Sequence, residues 1–314
     1  MYDLITILGP TACGKTAVAT RVARAIGGEI VSADSRQVFR GMDIGTGKDL
    51  TDYGSGADAV PYHLIDTRDA GESYSVYDFQ RDFLQAYTDI RQRGKVVVLC
   101  GGTGLYIESV LRAYRLVEVP ANEELRTRLE GLPLEELTRI LATYKRLHNT
   151  TDVDTARRAI RAIEIADFYE RHPAEAADSF PTLCPLTIGL TLPRELRRQR
   201  ITERLHARLA TGMEDEVRGL LARGVAAEAL LNYGLEYRYI TLHLTGRLTR
   251  EQMVKQLETA IHQFAKRQMT YFRGMERRGV SIRWVDASKG ADAVAACILE
   301  QWDNDMRNEL HDKP

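Results

Sequence analysis

The residues best suited to chemistry stand in the first part of the chain. Leu4 to Leu8 are five apolar or β-branched residues, followed by Gly9, Pro10, Thr11, Ala12, Cys13, Gly14, Lys15 and Thr16. This fits the G-x-x-x-x-G-K-[ST] phosphate loop, whose glycines let successive backbone N–H groups turn toward phosphate oxygens. In that reading Gly9 to Thr16 bind a phosphorylated ligand, Lys15 lies across its outer phosphates, and the Thr16 hydroxyl is placed to hold Mg²⁺. The helix that starts near Lys15 adds its positive dipole end. Asp34 closes a second strand, Glu29 to Ala33, and is followed by Ser35, Arg36 and Gln37. In an open parallel sheet that strand end faces the ligand crevice. A carboxylate there is placed to take a proton from an acceptor bound beside the transferable phosphate. The plainer alternative is an aspartate that caps the next turn.

A third strand, Lys95 to Cys100, runs into Gly101-Gly102-Thr103-Gly104. Thr103 offers a hydroxyl with little bulk around it, suited to close approach by a planar ligand, although a turn residue would look the same. A nucleotide hydrolase of this kind ends a strand in an aspartate that holds Mg²⁺ through water. Here the most apolar strand ends in Cys-Gly-Gly-Thr, which favours group transfer over hydrolysis. Arg200, Arg204 and Arg208 recur four residues apart on one helix face. Like charges at that spacing repel, so the ladder suits a diphosphate or a nucleic-acid backbone, with a solvated basic face as the alternative. Further basic clusters occur at Arg157, Arg158 and Arg161, and at Lys266, Arg267 and Arg273. Three such clusters suggest one concentrated basic channel for RNA.

The elements that must position these groups alternate as strand and helix. Helices are expected over 17–26, 75–93 and 105–113, and residues 41–61, rich in Gly and Asp, form a long loop. From 116 to 182 three helical patterns follow one another, roughly 121–130, 133–147 and 152–171, with no strand between them, ending in the linker Pro173 to Pro181. Leu183 to Leu192 and Ser281 to Val285 return as strands, with long amphipathic helices over about 193–223 and 249–273. The second opens on a capping box, Thr249 with Gln252. The fold expected is α/β: a P-loop NTPase-like parallel sheet flanked by helices, formed by 1–115 and 183–314, with an all-helical insertion domain at 116–182.

The 314 residues suffice for such a core, and a net charge of −1 confines any nucleic-acid contact to local patches. Four cysteines more than 80 positions apart argue against structural zinc and for a reducing compartment. With no signal-like lead and no apolar run of about 20 residues, a cytoplasmic protein with no membrane partner is expected.

The strings GPTACGKT, SADSRQVFRGMDIGTGK, HLID, GGTGLYI, RAIRAIE and AKRQMTYFR together resemble the tRNA dimethylallyltransferases, the IPP transferase family. The matching blocks run from Leu8 to about Arg273. The resemblance implies transfer of a dimethylallyl group from dimethylallyl diphosphate to N6 of adenosine 37 in tRNA, with Mg²⁺ as cofactor and the anticodon stem-loop as partner, by a monomer. It implies that Thr11 to Thr16 hold the diphosphate, that Asp34 is the general base, and that Arg200 or Arg204 grips the leaving group. Asp34 to Gln37, Thr103, Arg126, Arg157 to Arg161 and Leu231 to Glu236 would contact the tRNA, with Lys266 and Arg267 adding to the channel. One departure stands out: Gly234-Leu235-Glu236 replaces a usual Gly, aromatic, basic run. An adenylate isopentenyltransferase acting on free AMP, ADP or ATP shares the phosphate loop, Asp34 and the glycine turn, but has no need of the basic helical insertion. A small-molecule kinase explains only the first 110 or so residues.

Overall fold

The computed structural model describes residues 2–146, 151–172 and 180–311. Within them lie β1 (Leu4–Leu8), α1 (Lys15–Ile26), β2 (Glu29–Ala33), β3 (Tyr62–His63), α2 (Val76–Gln92), β4 (Val97–Gly101) and α3 (Gly104–Leu111). Next come α4 (Glu123–Leu129), α5 (Leu134–Tyr144), α6 (Ala156–Arg171), β5 (Pro185–Thr191), α7 (Arg194–Ala210) and α8 (Met213–Ala222). The chain ends with α9 (Ala227–Leu230), α10 (Leu235–Leu244), α11 (Arg250–Arg277), β6 (Arg283–Asp286) and α12 (Ala291–His311).

The strands form one sheet in the order β3-β2-β4-β1-β5-β6, and all the pairings are parallel. β1, β2, β4 and all but the ends of β5 are buried, as expected for strands covered on both faces. Two registers align the functional edge: Leu8 and Ala33 both stand opposite Gly101. Gly9, Asp34 and Gly102 therefore leave the sheet at the same level. One core packs α1 and α12 on the sheet through Val18, Val22, Val294 and Ile298; another joins Val38, Phe39 and Met42 to Ile201, Val217, Tyr237 and Leu257.

The chain divides into two compact units, residues 1–112 with 182–314 and residues 113–181. The smaller is helical, its core made by Leu125 and Leu129 of α4, Leu137 and Leu141 of α5 and Ile163 of α6. The end of the 133–147 pattern and most of the expected linker Pro173 to Pro181 lie outside the described residues.

One expectation needs correction, and two helices and the hold on one loop add to the picture. The 193–223 helix is two helices, because Gly212 adopts φ 98, a left-handed conformation open to glycine, and starts α8 afresh. α10 and α12 carry weak sequence signals and were not expected; α10 is apolar on several sides, and tertiary burial of Tyr237 and Ile240 holds it. The loop at 41–61 is tightly held. Lys48, 1 % exposed, donates to the Phe39 carbonyl (2.7 Å), to Asp43 Oδ1 (2.6 Å) and to Asp66. Glu216 accepts the N–H groups of Asp43, Ile44 and Gly45 at 2.7, 2.7 and 3.0 Å.

Candidate active site

The phosphate loop begins where β1 ends. Ala12 and Gly14 are both left-handed (φ 64 and 81), so the chain curls and its N–H groups converge, the concave arrangement that suits anions. Among the described residues the amides of Ala12, Cys13 and Gly14 have no acceptor within the protein. Lys15 folds back over the loop, its Nζ 2.9 Å from the Pro10 carbonyl and 4.0 Å from Cys13 Sγ. Thr16 is half-buried on the first turn of α1, and its hydroxyl makes no hydrogen bond among the described residues. Among the described residues no three His, Cys, Asp or Glu side chains are grouped to hold a metal. One hydroxyl beside a phosphate cradle fits a cation such as Mg²⁺, which takes most of its ligands from substrate phosphates and water.

Asp34 leaves β2 at the same edge. Its Oδ1 accepts the Arg36 N–H at 2.9 Å, so it does cap the next turn, while Oδ2 has no hydrogen-bond partner among the described residues. The carboxylate is thus held by one oxygen and offers the other. Thr103 Oγ1 accepts the Ser35 N–H (3.0 Å) and lies 3.4 Å from Ser35 Oγ, and the Thr103 N–H donates to the Ala33 carbonyl at 3.2 Å. These bonds fasten the glycine turn after β4 to the Asp34 turn. Between them sits the buried Cys100 thiol, which burial pushes up to about 12; Lys15 pulls it down while Cys13 and Asp34 push it further up. The registers of β1 and β2 against β4, with Leu8 and Ala33 both opposite Gly101, place the loop and the Asp34 turn on either side of this strand end.

Of the arginine ladder, Arg204 reaches the loop and donates to Thr11 Oγ1. Its guanidinium is desolvated enough, with Arg208 nearby, to fall to about 10, against the opposing pull of Glu236 and Asp49. Among the described residues no hydrogen bond joins Arg200 to the loop, which separates the two candidates. Arg208 is not a solvated face: its side chain is 12 % exposed, 3.5 Å from Asp49 and packed against Gly47. Arg36 is half-buried, and desolvation lowers its pKa, with Asp34 the leading opposing influence. Gln37 spends its amide on Ser32 Oγ and the Gly47 carbonyl, both at 3.0 Å.

In the segment Leu231 to Glu236, Tyr233 is buried, Asn232 is exposed and the other four residues are half-buried. The Tyr233 hydroxyl donates to the Glu72 carbonyl (2.7 Å) and accepts the Gly71 N–H (2.8 Å). Glu236 is raised by burial, opposed by its own N–H, Arg208 and Arg204. An acid here thus sits among the arginines it partly neutralises.

In the helical unit the expected RNA arginines divide. Glu164, with a side chain 1 % exposed, accepts Arg126 Nε at 2.8 Å and Nη2 at 3.1 Å, and Arg161 Nη1 at 3.1 Å. Arg161 Nη2 also donates to the Val119 carbonyl at 2.7 Å. Arg126 and Arg161 are therefore tied into the fold of this unit, although each side chain stays 40 % exposed. Arg158 pairs with Asp154 one turn away, and Arg157 is exposed and unpaired among the described residues. In the larger unit, Lys266 and Arg267 are exposed and line a groove of about 440 Å³ on α11 with Gln263, Thr270 and Tyr271.

One residue of the site was missed. Gln268, buried on α11, accepts the Thr11 N–H at 2.8 Å and donates to the Gly102 carbonyl at 2.9 Å. It stands in the string AKRQMTYFR, but a glutamine inside a basic helix carries no local signal of what it will meet across the fold.

Comparison with known proteins sharpens this picture. Residues 37–275 match the family model described as IPP transferase. The chain is 60 % identical over 287 residues to tRNA dimethylallyltransferase 2 of Bacteroides fragilis, covering 91 % of this chain and 94 % of that protein. It is 58 % identical over 297 residues to tRNA dimethylallyltransferase 1 of Porphyromonas gingivalis, covering 95 % and 98 %. The crystal structure of the full-length tRNA isopentenylpyrophosphate transferase of Bacillus halodurans superposes with a TM-score of 0.69 at 31 % identity, covering 99 % of this chain and 100 % of that one. A eukaryotic dimethylallyltransferase acting on tRNA shares the fold, with a TM-score of 0.73 at 21 % identity over 98 % of this chain and 80 % of that one.

Proposed function

The chain belongs to the IPP transferase family, and from that premise we propose that it is a tRNA dimethylallyltransferase. It moves a dimethylallyl group from dimethylallyl diphosphate to tRNA and releases diphosphate, with N6 of adenosine 37 as the acceptor atom. The observation that carries the residue roles is the placement, on one edge of the sheet, of Asp34, Lys15 and a loop whose amides are free among the described residues.

The chemistry needs those groups together. An adenine N6 lone pair is delocalised into the ring, so the amine attacks well only as it loses a proton. Asp34 takes that proton on its free oxygen while Oδ1 stays fixed by Arg36 N–H. The new bond forms between N6 and the allylic carbon as the carbon–oxygen bond to diphosphate breaks. Positive charge develops on the allyl group and negative charge on the diphosphate. The loop amides, Lys15 and Arg204 meet that negative charge with fixed donors. Thr16 would hold Mg²⁺, which when bound neutralises diphosphate charge. Thr103 fixes the Asp34 turn and leaves space where the base enters.

The acceptor is a base taken out of its loop stack, since the amine to be modified must reach the carboxylate and the donor together. Lys266 and Arg267 on α11, and Arg157 and Arg158 on α6, meet backbone phosphates. Among the described residues no helix is long and apolar enough to cross a membrane, in keeping with a cytoplasmic enzyme working on tRNA. The deciding experiment is steady-state turnover of an anticodon stem-loop against free AMP and ATP, with dimethylallyl diphosphate as donor, at two salt concentrations. Efficient, salt-sensitive transfer to the stem-loop is expected. Equal or better turnover of AMP would replace this reading with a free-nucleotide prenyltransferase.

A further inference from the structure

One carboxylate of α8 holds the loop that stands behind the Asp34 turn. Glu216 Oε2 accepts the N–H groups of Asp43 and Ile44, both at 2.7 Å, and Oε1 accepts the Gly45 N–H at 3.0 Å and the Tyr237 hydroxyl at 2.5 Å. Three consecutive amides converging on one side chain make the concave arrangement that elsewhere holds a free anion. Hydrogen bonds to a charged acceptor are roughly twice as strong as neutral ones, so the loop is firmly held. Gly45 lies so close to Tyr237 that a Cβ would stand 2.7 Å from its ring. The held loop turns at once: the Gly47 N–H donates to the Asp43 carbonyl at 2.9 Å, and Gly47 is left-handed (φ 66). The Gly47 carbonyl accepts Gln37 Nε2 at 3.0 Å, while Gln37 Oε1 accepts the Ser32 hydroxyl at 3.0 Å. Gln37 ends the turn that Asp34 begins, and the Ser35 N–H fastens the other side of that turn to Thr103. The Asp34 carboxylate therefore stands between two braces, one from the glycine turn after β4 and one that starts at Glu216.

We propose that Glu216 is a positioning residue for the Asp34 carboxylate, acting through the 43–47 loop and Gln37. The proposal rests on the prenyl-transfer reading for the role of Asp34. Glu216 touches no reacting atom. It fixes the Gly47 carbonyl, and Gln37, whose amide is spent within the protein, passes that position to the turn. A carboxylate that must meet N6 within hydrogen-bond reach tolerates little displacement, since an error of about 1 Å can cost on the order of 10²-fold in rate. The phosphate loop is held by other side chains, Arg204 and Gln268 at Thr11, so the grip on diphosphate should not depend on Glu216.

The test uses the full-length protein and Glu216→Gln, which keeps the shape of the side chain but turns an N–H₂ group toward an amide that needs an acceptor. Hydrogen exchange is read first, because it requires no turnover. The 43–45 amides should exchange roughly tenfold faster or more, the loss of one charge-assisted bond. The Ser35 and Arg36 amides should follow by about threefold or more, with β1 and β4 unchanged. With dimethylallyl diphosphate and the stem-loop, kcat per pyrophosphate-binding site should fall about tenfold or more, while the pyrophosphate Kd and the KM for dimethylallyl diphosphate stay within about twofold. In a Gln37→Leu background the same substitution should cost less than about twofold in kcat, because the path is already cut. Gly45→Ala presses the loop off Glu216 from the Tyr237 side and should repeat the pattern, which keeps the proposal testable if Glu216→Gln folds poorly. Unchanged exchange at Ser35 and Arg36 in folded variants, or a loss of kcat that adds in full to that of Gln37→Leu, would overturn the proposal; a merely structural Glu216 gives that additive result. Failure of the wild type to prenylate the stem-loop is a separate result. It removes the functional reading, while exchange at Ser35 and Arg36 still decides whether Glu216 holds the turn.

Discussion

Arg157 and Arg161 lie four residues apart on α6 and should respond to alanine substitution in opposite ways. Arg161 donates to the buried Glu164 at 3.1 Å and to the Val119 carbonyl at 2.7 Å. Removing a charge-assisted bond costs about 1.5–3 kcal/mol, and with a guanidinium as donor both bonds are of that kind. The Arg161 side chain is 40 % exposed, so solvent screening reduces that sum to about 1–2 kcal/mol. Arg126 remains to hold Glu164, and the unit stays folded. Hydrogen exchange on the full chain resolves the effect: amides of α4 and α6 should exchange roughly 5–30-fold faster in Arg161→Ala, at about 1.4 kcal/mol per tenfold. Arg157→Ala should leave exchange unchanged and instead lower the salt dependence of stem-loop binding by about one unit of log–log slope. The pH response follows from Glu164. Burial alone would raise its pKa, but hydrogen bonds from Arg126, the Asn122 amide and Arg161 outweigh that and hold it below the ordinary 4.5. A carboxyl depressed on folding stabilises above its unfolded value, and that stability is lost as pH falls through the folded value. Corrected for intrinsic rates, α4 and α6 exchange should accelerate below about pH 4.5, and by a smaller factor in Arg161→Ala, where Glu164 is less depressed. Wild-type exchange in Arg161→Ala, or a larger effect from Arg157→Ala, would refute this account of Glu164.

Asp34→Ala should lower kcat by roughly 10²–10⁴-fold while pyrophosphate affinity is nearly kept; a loss under about tenfold would remove Asp34 as the base. Lys15→Ala and Thr16→Ala should each raise the pyrophosphate Kd by about tenfold or more, and ATP should compete only weakly. Transfer of the ATP γ-phosphate to any acceptor at a comparable rate would put a kinase in place of the prenyltransferase. Lys48→Met leaves Asp43 and Asp66 facing each other without their ammonium. Those carboxylates are 56 % and 36 % exposed, so urea denaturation should show a loss of about 2–3 kcal/mol, below the range for a fully buried pair. An unchanged stability would mean that water already screens the pair.

Some of this protein was legible in local sequence because the physics there is local. Five apolar residues running into G-x-x-x-x-G-K-T make a strand, a nest and a helix start within a dozen positions. The parallel sheet follows from strands separated by helices, and Asp34 at a strand end could be read as a site residue from topology alone. The helical insertion showed itself by a change of period. What a cationic side chain is for could not be read in this way, because its partner is chosen across the fold. Arg157 and Arg161 look equivalent in RRAIRAIE, yet one is exposed and the other is bound to Glu164 and Val119. Arg200 and Arg204 share a helix face, and only the packing of α7 brings Arg204 to Thr11. Gln268 has no sequence signal, since its two partners lie 257 and 166 positions away. Local spacing determines secondary structure and motif. Desolvation and pairing, which decide whether a charge supports the fold or meets a ligand, depend on distances that only the folded chain supplies.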